Sequence, residues 1–335
     1  MRRIINIHGV DDVRLDHISP PCPDDADIVV DVRACGICGS DLTYIKAGGI
    51  HRQPNGVTPI GHELSGDVAY VGKSVTDITV GQRVILNPMT TPSAIGSGGS
   101  EGAFSDQVLV RQASLGINVF PVPDGISYDI AALAEPLAVA LHGVNRLQAR
   151  AGEKIVVFGC GPIGLAIQLW LLDRGIHDVI ALDVADSRLA RASALGVRAA
   201  LNPTKINLVD ALKKLHGTAR VFSREAVGTD AYIDAAGATN ILSDVVNMAK
   251  YQSRMAVTAA YLQPVQIPLG AMLTTEMSLT TAVGYPTEMP TVIEAMPRLK
   301  NQLEQLISHR FSLDNFFPAL DIARAPSSAK VIINI

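Results

Sequence analysis

Aromatic residues are scarce in this chain, at 4% with a single tryptophan, so its cores must be aliphatic. Aliphatic material is ample, because 48% of the residues are hydrophobic. Charge is thin, at 18%, and shows no basic excess. A net charge of −4 argues against nucleic acid or an anionic lipid surface as a main partner. The cysteines at 22, 35, 38 and 160 are too few for a disulfide framework in 335 residues. The stretch MRRIINIHGVDDVRLDH meets charges before any apolar run, which argues against a secretory signal and makes the cytoplasm the expected location. The length exceeds a usual single core, so two domains are expected. One long uncharged run exists, Ile155 to Leu172. Gly159, Gly161 and Pro162 would break a membrane-spanning helix at its middle, so no membrane partner is expected.

That run reads instead as strand, turn and helix. KIVVFG has the β-branched, non-alternating character of a strand buried on both faces. GCGPIG follows, with glycines at 159, 161 and 164, and Pro162 suits the first turn of a helix stopping at Gly175. A second apolar strand, DVIALD, ends on Asp183; DSRLARASALG then reads as a capped amphipathic helix with Leu189, Ala192 and Leu195 on one face. A lone G-x-G-x-x-G is weak evidence. After a strand, opening a helix, and followed by an acidic residue at the next strand end, it marks a dinucleotide site. The glycines let backbone approach a pyrophosphate at the helix N-terminus. Asp183 would bind ribose hydroxyls and repel a 2′-phosphate, favouring NAD over NADP. AYIDAAG, RMAVTAA and SLTTAVGY would complete a doubly wound sheet. Cys160 has no evident role beyond packing.

Residues 1 to about 120 differ in texture. Short β runs (DIVVDVRA, LSGDVAYVG, QRVILNP, FSDQVLV) alternate with Gly, Pro and Asn turns, suggesting an antiparallel β-rich domain with a breaker-rich loop at 87–102. This region offers Cys35, Cys38, His62 and Glu63 as metal donors. A second C-x-x-C is absent, so a four-cysteine site cannot be built. A redox C-x-x-C would open a helix beside a βαβ unit, which lies about 120 residues away. The spacing alone leaves the role of Cys35 and Cys38 open.

CGICGSD, GHE, AEPLAVALHG, the glycine turn and LDVADSR run in that order from about residue 25 to the terminal AKVIINI. Together they resemble the medium-chain, zinc-dependent alcohol and polyol dehydrogenases, in the branch of the sorbitol, butanediol and threonine enzymes. The resemblance implies an α/β protein with a GroES-like catalytic domain at 1–140, completed by 285–335, and a Rossmann domain at 141–284. It implies Cys38, His62 and Glu135 as zinc ligands, with Glu63 beside the metal as an occasional ligand, Asp41 orienting His62, and no ligand role for Cys35. Ser40 would take the substrate hydroxyl proton. Gly159, Gly161, Pro162, Ile163, Gly164, Asp183, Arg188, Ala260 and Val283 would contact NAD.

Three departures from the family pattern stand out. Relatives often carry a four-cysteine structural zinc lobe, but Pro88 to Gly102 holds no cysteine, so one catalytic zinc is expected. Thr43 stands where many relatives have a relay histidine, and Gly284 where sorbitol-type enzymes place an arginine near the polyol. The implied reaction is reversible oxidation of a secondary alcohol, diol or polyol with NAD. Its rivals are a zinc-free enone or quinone reductase and a non-catalytic dinucleotide-binding protein. The SLTTAVGY strand implies a homo-oligomer, a tetramer more than a dimer.

Overall fold

The isoleucine-rich segment Arg2–Gly9 (β1) turns through Val10 and Asp11 into Asp12–Ile18 (β2), and the two pair antiparallel. Asp11 takes the left-handed backbone the turn demands (φ 54°), which a short polar side chain tolerates. In the computed structural model, residues 1–50, 56–90, 92, 94–261 and 263–335 are described; positions 91 and 93 of the breaker-rich loop lie outside them. Next come β3 (Ile28–Gly36), α1 (Gly39–Ala47), β4 (Thr58–Pro59), β5 (Glu63–Val71), β6 (Arg83–Leu86), β7 (Gln107–Val110), β8 (Val119–Pro121) and α2 (Tyr128–Ala131). Strand β3 is the hub, pairing antiparallel with β5 over its length and with β7 at Ile28–Asp31.

Helix α3 (Ala134–Leu147) leads into alternating strands and helices: β9 (Ile155–Phe158), α4 (Pro162–Asp173), β10 (Val179–Leu182), α5 (Asp186–Leu195), β11 (Ala199–Leu201) and α6 (Leu208–His216). A small hairpin, β12 (Thr218–Val221) and β13 (Arg224–Val227), precedes β14 (Ala231–Asp234), α7 (Ile241–Met248), β15 (Arg254–Val257), α8 (Leu269–Thr275) and β16 (Ser278–Thr281). Six strands form one parallel sheet in the order β11-β10-β9-β14-β15-β16, a doubly wound arrangement. Strands β9, β10 and β14 are buried throughout, as their lack of alternation predicts.

The chain then adds α9 (Met289–Leu306), β17 (Ile307–Ser312), α10 (Phe316–Arg324) and β18 (Lys330–Asn334). Strand β18 pairs with β3 at Ala34–Gly36, returning the last segment to the first sheet. The structure thus has two units, Met1–Glu135 with Met289–Ile335, and Pro136–Glu288. Their cores are chiefly Ile, Val and Leu, with few rings. Trp170 is fully buried in α4 and donates its indole N–H to the Leu137 carbonyl at 2.9 Å. Among the described residues, no helix is long and apolar enough to cross a membrane.

One local expectation is corrected. Helix α5 has no side-chain cap: its N-cap is Ala185, and Asp186 already lies in the first turn, bonded to Asn202 and Lys205. The Ala185 N–H is instead received by Asp183, at 2.8 Å.

Candidate active site

The two cysteines of C-x-x-C occupy unlike places. Cys35 lies within β3, fully buried in the apolar core, and burial pushes its thiol pKa well above the usual range. Cys38 stands at the N-cap of α1, half-buried, where the chain leaves the strand. Asp41 fixes that corner. One carboxylate oxygen accepts the Cys38 N–H at 2.9 Å and the other the Gly61 N–H at 3.3 Å, linking the start of α1 to the turn before β5. Gly61 adopts φ 90°, and a Cβ there would lie 2.7 Å from the Phe104 nitrogen, so only glycine fits before His62.

This corner brings the donor atoms of Cys38, His62 and Glu63 within 4.8 Å of one another. Thiol, imidazole and carboxylate together suit zinc. The electrostatics suit a cation too. Burial opposes a charge on His62, yet Asp41, Cys38 and Glu135 outweigh it and hold the imidazolium well above its ordinary pKa. A field that favours an added proton there equally favours a metal ion. The buried Nδ1 of His62 faces Asp41 at 3.6 Å, beyond hydrogen-bond range, and has no hydrogen-bond partner among the described residues. Nε2 faces the Ser40 hydroxyl at 3.4 Å. Glu135 lies in the first turn of α3, close enough to act on His62 and Lys330, but outside the tight group of three.

Glu63 is already engaged. Both its oxygens lie 2.6 Å from the ammonium of Lys330, which also donates to the Ile37 carbonyl at 3.1 Å. Lys330 and Glu63 are buried, and Lys330 opens β18, the returning strand. Burial opposes its charge, but Glu63 and Cys38 raise its pKa above the ordinary value. Gly36 sits opposite Glu63 on β3, where a Cβ would fall 2.1 Å from the carboxylate. Sequence reasoning missed Lys330. Its signal was a single cation at the head of the otherwise apolar run KVII.

Tyr44, half-buried on α1, lies beside Ser40, and burial raises its pKa. Thr43 is exposed and turns its hydroxyl back onto the Gly39 carbonyl at 3.2 Å, so it makes no onward connection from Ser40.

In the second unit a cavity of about 650 Å³ opens beyond the carboxyl ends of β9, β10 and β14. Gly159, Gly161, Asp183, Arg188, Ala235 and Ala236 are among its walls. Each glycine has its own reason. Gly159 takes φ 96° with a Cβ position 3.0 Å from the Ala235 carbonyl carbon, and a Cβ on Gly164 would collide with the Gly159 oxygen at 2.0 Å. Gly161 faces open space, the room a pyrophosphate needs. Pro162, Ile163 and Gly164 form the first turn of α4; neither Ala260 nor Val283 lines the cavity, and Val283 is exposed beyond β16. Asp183 closes the glycine turn by accepting the Cys160 N–H at 2.8 Å, and its carboxylate also faces the cavity. The Cys160 thiol is pushed up to about 12 by burial, which makes it inert.

Residues 24–124 match the alcohol dehydrogenase GroES-like domain and residues 162–298 the zinc-binding dehydrogenase domain. The chain is 29% identical over 330 residues to (R,R)-butanediol dehydrogenase of Bacillus subtilis, covering 92% of each. It is 31% identical over 329 residues to sorbitol dehydrogenase 2 of Saccharomyces cerevisiae, covering 90% of this chain and 89% of the other. The crystal structure of 2R,3R-butanediol dehydrogenase from Bacillus subtilis superposes with a TM-score of 0.88 at 26% identity, over all of both chains. Sequence, fold and donor set agree, and the chain belongs to the medium-chain, zinc-dependent alcohol and polyol dehydrogenases.

Proposed function

We propose that this chain reversibly oxidises a secondary alcohol, small diol or polyol to a ketone, with hydride transfer to NAD and one catalytic zinc per chain. The convergence of Cys38 and His62 with two carboxylates, Glu63 within 4.8 Å of both and Glu135 close enough to act on His62, carries the reading, because a zinc-free reductase or a mere binding protein has no use for such a set. Cys38 and His62 would hold the ion, with Glu135 as the carboxylate ligand while Lys330 engages Glu63. When bound, zinc supplies Lewis acidity that eases loss of a hydroxyl proton and polarises a carbonyl. Ser40, 3.4 Å from the His62 ring, would relay that proton, its hydroxyl accepting it while releasing its own to the ribose hydroxyls of the bound coenzyme. Asp41 sets the angle of α1 against the turn at Gly61, and so the approach of Cys38 to His62.

Arg188 and Asp183 share the cavity wall, and Asp183 would repel a 2′-phosphate, which supports NAD. Relatives that act on butanediol and sorbitol support a diol or polyol; Gly284 removes the arginine of the sorbitol type and favours the smaller diols. A screen of diols, polyols and secondary alcohols, followed by NADH absorbance, tests both readings. Turnover of at least one secondary alcohol is expected, with kcat/KM for NAD exceeding that for NADP. Equal or better use of NADP would sink the coenzyme assignment.

Four free cysteines fit the reducing cytoplasm. Strand β16 ends the parallel sheet with one edge unpaired among the described residues, and Leu273 and Val283, on either side of it in sequence, are 79% and 89% exposed. An open edge with apolar neighbours supports pairing between copies, in a homotetramer by family likeness. Light scattering is expected to give a multiple of 35.5 kDa; a single-chain mass contradicts it.

A further inference from the structure

Asp234 ends β14 with a carboxylate fully shielded from solvent and accepts hydrogen bonds through both its side chain and its main chain. One side-chain oxygen accepts the N–H groups of Ala236 and Gly237, at 2.8 and 2.9 Å. The other accepts the hydroxyl of Tyr261. Its main-chain oxygen receives Thr258 twice, from the N–H at 2.9 Å and the hydroxyl at 3.0 Å, and the Ala259 N–H at 3.2 Å. The turn after β14 is thereby tied to the turn after β15. They touch directly as well: Gly237 takes φ 73°, with a Cβ position 3.1 Å from the Ala260 oxygen.

These turns have a definite place relative to the cavity. Asp183, at the end of β10, marks the adenosine side, and the glycine turn after β9 marks the pyrophosphate. The sheet order continues from β9 to β14 and β15, so the remaining half of a dinucleotide must run over the turns that Asp234 joins. Ala235, Ala236 and Ala238 line the cavity on that side. Tyr261 is half-buried, and its hydroxyl also approaches the Ala238 carbonyl at 3.4 Å, so the ring spans the lining turn.

We propose that Tyr261, through its hydrogen bond to Asp234, is a positioning residue for the nicotinamide half of the coenzyme, fixing the turns after β14 and β15 as one surface. The inference rests on the dinucleotide reading of the cavity. Tyr261→Phe removes one hydroxyl and keeps the ring, so folding is preserved. It leaves an oxygen of Asp234 without its donor, and the 235–238 turn gains freedom.

The test compares two probes by calorimetry on the intact protein: NADH, and ADP-ribose, which lacks the nicotinamide. Tyr261→Phe is expected to weaken NADH about tenfold, the order set by a lost hydrogen bond to a carboxylate. ADP-ribose affinity should stay within about twofold, because the adenosine and pyrophosphate contacts are untouched, while the thermal midpoint falls modestly as the buried carboxylate loses one donor. The emission gain of bound NADH, which reports a held nicotinamide, should fall in parallel. Equal losses for both probes, or none for either, overturn the proposal. If the unaltered protein binds neither probe, the dinucleotide reading itself fails.

Discussion

Cys38→Ser is expected to strip the protein of zinc and reduce kcat/KM by more than about a hundredfold, the loss that even supporting residues of a metal site can produce. Cys35→Ser should keep both. The two cysteines stand three positions apart, yet one is sealed in the core of β3 and the other faces His62 and Glu63. Losing one of a small ligand set leaves neither the affinity nor the geometry of the site. In Cys35→Ser the effect should be confined to stability, about 1 kcal/mol, as for an ordinary buried substitution. Elemental analysis after exhaustive dialysis, alongside initial rates, checks the pair. One zinc per chain is expected in the unaltered protein and in Cys35→Ser. Loss of zinc from Cys35→Ser with retention in Cys38→Ser would reverse the assignment, and two tightly held ions would contradict a single site.

Lys330→Met should destabilise the first unit by about 3–5 kcal/mol, the usual penalty for leaving a buried charge without its partner. Glu63 keeps its carboxylate but loses the cation 2.6 Å from both oxygens, with no solvent to replace it. The reciprocal change separates this cause from loss of packing. Combined with Glu63→Gln, Lys330→Met should recover much of the stability, since neither side chain then carries a charge. Urea unfolding of the four proteins gives the coupling energy. A loss below about 1 kcal/mol in Lys330→Met, or no recovery in the double variant, would show that the pair is not coupled in this way.

The contrast between these residues explains what the sequence could and could not disclose. The glycine turn was legible because its logic is local: Phe158, Gly159, Gly161, Gly164 and Asp183 fall within 26 consecutive residues, and the strand-turn-helix context supplies the meaning. Cys38, His62 and Glu63 were legible as donor types, but choosing Cys38 over Cys35 needed the family likeness; the structure separates them by burial. Lys330 was not legible, because its partner lies 267 positions away and only the return of β18 to β3 brings them together. Tyr261 escaped for a similar reason, since nothing in TAAYLQP announces a buried carboxylate at Asp234. The hairpin of β1 and β2 was hidden by a turn, Val10-Asp11, lacking the Asn-Gly or Asp-Gly pair that signals such hairpins. The cap expected on α5 failed because Asp183, a residue already given a coenzyme role, also receives the Ala185 N–H.

The joining of β18 to β3 also sets an order of events during synthesis. When the first 135 residues have emerged from the ribosome, the segments bearing Cys38, His62 and Glu63 have been made, but the strand whose Lys330 ammonium pairs with Glu63 has not. Nearly two hundred further residues, including the whole parallel sheet, are made before Lys330 arrives. Contacts so distant in sequence form late and slowly. The intervening unit, with its own core, is free to fold first. Until β18 docks, Glu63 lacks the ammonium that offsets its charge, and a carboxylate without a partner favours hydration over burial. Docking of β18 supplies the cation for that charge, so the Glu63–Lys330 pair can form only after Lys330 has been made.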